Sequence, residues 1–308
     1  MTTNAIQSSH IYSTYFAPRG RSRIYTLGMQ IAQLYLSPFD QIIGFIGEAG
    51  SGKSVLIKGM FPGIELTNDD DGVNVRPLPL LEQEYETGFF TPHTYHLDIR
   101  FETGFHQLSE LADAVQLAVR RGKRIIIEHF DLIYPLLGVN ANLLIGVGEQ
   151  IVITRPNLFG PLPQELCDIV YPSLAYRLMA HSAEDLCEYA MTQEQMLACS
   201  HGDIRHGFVL EFNEHQPDID IPTLEARVNE LIRADLPIDY YDESHILLGG
   251  AQHYCTGPRT HVRSTGRIIG FRLLDHFIYD HFHKTYMLVG CVGDDSEENI
   301  RKLEKIHG

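Results

Sequence analysis

The sequence predicts an α/β domain on a mostly parallel sheet, followed by a smaller α+β domain. Three observations carry that expectation. Short apolar runs of buried-strand type alternate with segments of helical periodicity through the first half of the chain. A glycine-rich turn at residues 47–52 joins the first of those runs to a helix. Prolines 156, 161 and 163 with Gly160 then break the alternation, and shorter mixed elements follow. The boundary is placed there, giving domains at residues 1–162 and 163–308.

Composition limits the class. The 308 residues suit two domains of ordinary size. Hydrophobic residues at 44% and charged residues at 21% support a buried core. A net charge of −16, from 24 basic and 40 acidic residues, argues against a general nucleic-acid coat and leaves only a local basic groove open. Apolar runs such as residues 42–46 fall far short of the roughly 20 residues a membrane helix needs. Residues 1–9 are polar and lack an apolar signal-peptide core. A cytoplasmic protein without a membrane partner is expected. Cys167, Cys187, Cys199, Cys255 and Cys291 are scattered, with no C-x-x-C, which fits reduced thiols.

The elements are justified in order. Ile24, Leu27, Ile31, Leu34 and Tyr35 recur at helical spacing, and Ser37-Pro38 ends that helix at residue 36. Residues 41–46 (Q-I-I-G-F-I) form a buried strand. A helix follows over Lys53–Met60, a second strand over residues 94–99 and a helix over residues 108–121 closed by Gly122. Strands are predicted at residues 124–127 and Gln150–Thr154. Beyond the boundary come a helix at 183–198, a strand at 208–212 and a helix at 222–233. Strands at His245–Leu248, 268–274 and 286–289 and a charged helix at 296–306 complete the chain.

Gly47, Glu48, Ala49, Gly50, Ser51, Gly52, Lys53 and Ser54 match G-x-x-x-x-G-K-[ST], with an apolar strand before and a helix after. The glycines let the backbone curl so that N–H groups converge on phosphate oxygens, and the helix adds its positive end. Lys53, expected to be solvent-accessible, reaches the β- and γ-phosphates, and Ser54 ligates Mg²⁺. The bland alternative is a chance glycine-rich turn. Residues 1–162 are accordingly expected to be a P-loop NTPase domain. The absence of N-K-x-D favours ATP over GTP.

Two further acids bear on the chemistry. Glu128 ends an apolar strand, where it either holds a metal shell and orients water or is an exposed terminating acid. Asp98 ends another strand-like run, as a metal-shell ligand or a turn residue. Asp69, Asp70 and Asp71 form either an acceptor-binding tract, which would favour a small-molecule or nucleoside kinase, or a solvated turn.

These pieces together resemble the TsaE family of P-loop ATPases of bacterial tRNA threonylcarbamoyladenosine biosynthesis. The matching stretches are residues 25–32, 42–54, 94–100 (T-Y-H-L-D-I-R) and 125–129 (I-I-I-E-H). That family carries G-D-x-G-x-G-K-T, an H-x-D-x-Y-R strand and an I-E-W strand end. The resemblance covers residues 24–155 and implies phosphate and Mg²⁺ binding by Lys53 and Ser54. It further implies Asp98 in the metal shell and Glu128 as the Walker B-like acid. Glu48, Ser54 and His129 replace the family's aspartate, threonine and tryptophan, its S-P-T segment has no clear match, and residues 68–90 are an insertion.

Residues 255–272 (C-T-G-P-R-T-H-V-R-S-T-G-R-I-I-G-F-R) are similar to the second additional domain of alanyl- and threonyl-tRNA synthetases. There a cysteine and a histidine of such a segment serve a zinc site used in editing. Here Cys255 and His261 lie six apart where the family has four, and no H-x-x-x-H helix precedes them. His253, Cys255 and His261 are the candidate ligands, but three donors make an incomplete cage, so zinc is not expected and Mg²⁺ at Ser54 is the metal anticipated. Arg263 and Arg267 suit phosphate or carboxylate. His201, His206, His215, His276, His281 and His283 are read as structural.

The expected function is Mg²⁺-dependent binding and hydrolysis of ATP, coupled to a second domain that recognises an amino acid, another small molecule or part of a tRNA. A kinase and a non-catalytic ATP-gated switch for a protein partner are the alternatives.

Overall fold

The computed structural model describes residues 12–67, 78–82, 93–213 and 215–307. The chain forms two compact units, Met1–Ala17 with Arg21–Pro172, and Pro18–Gly20 with Ser173–Gly308. The architecture is mixed α/β, with one mostly parallel six-stranded sheet and separate antiparallel sheets.

In the first unit, β1 (Ser13–Phe16), β2 (Ile42–Ile46), β3 (Thr94–Asp98), β4 (Arg124–Glu128), β5 (Leu143–Val147) and β6 (Gln150–Thr154) form one sheet in the order β1-β6-β5-β2-β4-β3. Strands β5, β2, β4 and β3 are parallel, and β6 and β1 add an antiparallel edge. The helices are α1 (Arg21–Tyr35), α2 (Lys53–Met60), α3 (Pro79–Glu82), α4 (Ile99–Glu102), α5 (Leu108–Arg120), α6 (Phe130–Leu137) and the first part of α7 (Pro163–Ala190).

Strand side chains alternate between faces, and here both faces are covered. Ile42 and Ile46 of β2 join a core with Leu111, Val115 and Phe130. Ile43 and Phe45 join the opposite core with Ile24, Ile31, Leu56 and Ile57. Two covered faces explain the unbroken apolar run of β2. Gly44 interrupts it because a Cβ there would lie 2.7 Å from the Phe130 ring. The α1–α2 contact is closer still: a Cβ on Gly28 would sit 2.5 Å from the Leu56 carbonyl oxygen.

The helix expected at residues 24–36 begins three residues earlier, at Arg21. Strands β1 and β5 and helix α6 were not anticipated. β5 and β6 are joined by a tight turn in which the Gly148 N–H donates to the Gln150 carbonyl, so only Gly148 and Glu149 separate the two strands in sequence. Pro135 lies inside α6 and disguises it.

The second unit holds the rest of α7, then α8 (Gln193–Ala198), β7 (Cys199–Ile204), β8 (Gly207–Asn213), α9 (Ile221–Arg233), β9 (Ile238–Asp242), β10 (His245–Leu248) and β11 (Ala251–Tyr254). It ends with β12 (Arg272–Leu273), β13 (Ile278–Asp280), β14 (Thr285–Cys291) and α10 (Ser296–His307). One antiparallel sheet runs β12-β14-β8-β7 with β13 on β14, and another runs β11-β10-β9. The strand expected at 268–274 shrinks to Arg272–Leu273, because a 3-10 turn at Thr265–Arg267 turns the chain just before it. The helix expected at 183–198 is the end of α7 plus α8, divided where the Thr192 side chain caps α8.

The two units divide inside α7, at Pro172, rather than in the proline-rich segment before it. Residues 179–188 of this helix are all buried, including His181, Glu184, Asp185 and Glu188. No helix among the described residues is long and apolar enough to cross a membrane.

Candidate functional site

The glycine loop lies between the C-terminal end of β2 and the start of α2. Gly50 and Gly52 take φ of 79° and 87°, a region that favours glycine. At Gly47 a Cβ would meet the Val147 carbonyl oxygen at 2.5 Å. These local demands bend the backbone so that α2 opens directly behind the loop. Contrary to expectation, Lys53 is buried, because its Nζ donates to the carbonyls of Gly47 and Glu48 at 2.8 and 2.9 Å. Burial lowers its pKa, against the opposing charges of Glu128, Asp98 and Glu48.

Glu128 stands at the end of β4, beside the loop. It accepts from Ser54 Oγ at 3.2 Å and lies 3.9 Å from Lys53 Nζ. Asp98, at the end of β3, is its partner in the parallel register. The sequence-predicted Lys53, Ser54 and Glu128 are thus brought together, with Asp98 on the neighbouring strand. One oxygen of Asp98 accepts from the Phe101 N–H at 3.1 Å and caps α4.

Three contributors were not identified from sequence. His96 Nδ1 accepts from the Thr67 N–H at 3.1 Å, which places the ring proton on Nε2, 3.1 Å from Glu128 Oε1. Burial would raise the Glu128 pKa, but this hydrogen bond and the nearby charges hold it below the ordinary value. Arg100 donates to Glu48 at 2.9 Å across the mouth of the loop. His129, next to Glu128, adopts φ of 56°, a strained backbone of the kind found at working sites. The H-x-D pattern was the available signal for His96. The Asp69, Asp70 and Asp71 tract lies outside the described residues.

The second unit gathers a different set. His181 and Asp185, one turn apart on α7, meet Cys255 and His261, with one donor atom of each within 4.8 Å of all the others. Cys255 Sγ lies 3.4 Å from His181 Nε2 and 3.7 Å from His261 Nε2. Asp185 lies 2.8 Å from His261 Nε2 and 3.9 Å from His181 Nε2. Edges of a tetrahedral zinc centre are about 3.3–3.6 Å by its bond lengths. Each histidine donates its Nδ1–H to a backbone carbonyl, of Thr260 at 2.9 Å and of Pro258 at 3.2 Å, so Nε2 is the nitrogen that faces the other members of the set. The Gly257 N–H points at the cysteine sulfur from 3.2 Å.

Burial pushes the Cys255 thiol up and the His181 imidazole down. Burial would raise Asp185, yet the two histidines hold its carboxyl well below the usual range. No H-x-x-x-H pair precedes Cys255, as expected, but α7 supplies His181 and Asp185 four residues apart instead. His253, a candidate ligand from sequence, sits beside this set, grouped with Asp185 and Glu188. Cys199 and His201 group with Glu188, whose carboxylate accepts from His201, so His201 is more than an isolated surface histidine. Arg263 and Arg267 are exposed. His276 and His283 pair with Asp275 and Asp280, and His206 with Asp295.

Compared with known proteins, the chain matches no family model and no curated protein.

Proposed function

We propose that the protein binds ATP with Mg²⁺ and hydrolyses it in the first unit, a P-loop NTPase domain of TsaE-like type. The observation that carries this is the convergence of Lys53, Ser54 and Glu128 where parallel strands β2 and β4 end, the edge at which open α/β sheets bind ligands. Loop N–H groups and the α2 N-terminus hold the phosphates. Lys53 exchanges its loop carbonyls for phosphate oxygens. The Ser54 hydroxyl and the Glu128 and Asp98 carboxylates are hard oxygen donors that fit Mg²⁺, which supplies neutralisation of phosphate charge. Glu128, kept ionised and oriented by His96, positions the attacking water.

The second unit, by its resemblance to the synthetase second additional domain, recognises an amino acid, another small molecule or part of a tRNA, and ATP turnover is coupled to that event. His181, Asp185, Cys255 and His261 supply two nitrogens, an oxygen and a sulfur, a donor set that fits Zn²⁺. Zinc there stabilises the unit, because ligands distant in sequence are tied together.

The test is phosphate release from ATP and Mg²⁺ without any acceptor. Turnover supports the proposal. ADP formed only when a metabolite is added would replace it with the kinase, and tight binding without turnover with the ATP-gated switch. Elemental analysis of protein purified without chelator or metal-affinity tag tests the zinc: a stoichiometric ion lost in Cys255→Ser supports it, and metal-free folded protein refutes it.

A further inference from the structure

We propose that Asp185, Glu188 and His253 form a second divalent-cation site beside the set of His181, Asp185, Cys255 and His261. This rests on the zinc assignment in sharing Asp185 with it.

The three donors are buried, and one ligand atom of each lies within 4.8 Å of the other two. Asp185 and Glu188 are three residues apart on α7, hence on one face. His253 is the single buried side chain of β11. It is 7% exposed, and its Nε2 is buried with no hydrogen-bond partner among the described residues. A buried imidazole nitrogen without a partner is costly and calls for an explanation. The Tyr189 ring packs edge-on against it at 5.8 Å and supplies no acceptor. A metal ion explains the nitrogen and the company it keeps.

Charge points the same way. Glu184, Asp185 and Glu188 are 3%, 5% and 6% exposed within little more than one helical turn. Arg19 neutralises Glu184, donating to both of its oxygens at 3.0 and 3.1 Å. Asp185 faces His261 at 2.8 Å and Glu188 pairs with His201, so each carboxylate has one imidazole partner and oxygen lone pairs left over. Glu188 accepts from His201 through Oε1 and still has lone pairs to offer. A carboxylate shared between two ions, as Asp185 would be, is a regular feature of two-metal centres.

The chemistry differs between the sites. The first includes a thiolate and suits zinc. The second offers two oxygens and a nitrogen without sulfur, a set that takes Zn²⁺, Mn²⁺ or Fe²⁺. Three protein donors leave positions open for water or a ligand.

The experiment titrates metal-stripped full-length protein with Co²⁺ and counts ions per chain, while thiolate-to-cobalt absorption reports Cys255. Two ions are expected, only one of them producing that absorption. His253→Ala and Glu188→Gln should each retain one ion and the full thiolate absorption. If His253→Ala does not fold, Glu188→Gln carries the test. One ion with full thiolate absorption in the parent protein overturns the second site and leaves the first standing. No ion overturns both. Two ions retained by a folded His253→Ala or Glu188→Gln variant overturn the second site alone.

Discussion

The His96 imidazole donates to Glu128 Oε1 from one side while its other nitrogen accepts from the Thr67 backbone, so the carboxylate is oriented by a ring that cannot turn without breaking both bonds. Under the proposed ATP hydrolysis, His96 would be a positioning residue that acts through Glu128. His96→Ala is expected to lower kcat for ATP by about tenfold to a hundredfold with ATP affinity nearly unchanged, the usual scale for losing a supporting hydrogen bond. His96→Gln, which can still donate, should recover part of the rate. Equal loss in both variants would mean that the ring serves only packing.

Glu128→Gln keeps the shape of the strand end and removes the negative charge. ATP binding should survive, and hydrolysis should slow by a factor of about 10² or more. A rate within a few-fold of the parent would remove Glu128 from the chemistry. Single-turnover measurement separates this from slow product release.

Lys53→Ala is expected to abolish measurable ATP binding, read by calorimetry. Because Lys53 is buried and holds two loop carbonyls, the variant should also be modestly less stable, by about 1–3 kcal/mol for the partners it leaves. Circular dichroism should still show a folded chain. Unchanged affinity in a folded variant would exclude the loop as the phosphate site.

Gly28→Ala sets two effects against each other. Helix propensity favours alanine by about 1 kcal/mol. The added Cβ, however, would lie 2.5 Å from the Leu56 carbonyl oxygen and 3.1 Å from Gly59 Cα, both backbone atoms. Overpacking of this kind costs about 1–3 kcal/mol, so urea denaturation should show net destabilisation. A stabilised variant would show that α1 and α2 can separate freely.

Asp295 precedes α10 and accepts from His206 Nδ1 at 2.9 Å. Burial would raise its carboxyl, but the His206 hydrogen bond and charge hold it below the ordinary 3.8. A depressed acid stabilises above its unfolded pKa, and that contribution fades as pH falls through the folded one. With Asp295 more than a third exposed, screening leaves about 0.5 kcal/mol. Asp295→Asn should therefore be less stable than the parent at pH 6, and the gap should narrow as the pH falls below 3.8 and through the lowered folded-state pKa. A gap that persists in acid would show that the effect does not come from the Asp295 charge.

Local determinants were legible in the amino-acid sequence. The loop from Gly47 to Ser54 announces itself because positive-φ glycines, a buried strand and a helix start are contiguous requirements. Lys53–Met60 and Gln150–Thr154 were read at their observed limits for the same reason. Glu128 and Asp98 could be recognised as strand-end acids, but only strand order made them neighbours, since β3 and β4 are separated by α4 and α5 and pair in parallel register.

The histidine and aspartate of α7 lay beyond sequence reasoning. A helix buried on every side has no 3.6-residue apolar stripe, and its acids pass for a solvated face. His181 lies 74 residues before Cys255, and nothing local links them. Their meeting depends on β10 and β11 returning the chain to α7, which is a property of packing and topology. Sequence thus specified the glycine loop, whose geometry needs only adjacent residues. The tertiary structure alone assembled the buried donor set, because its members satisfy one another only when the core has closed around them.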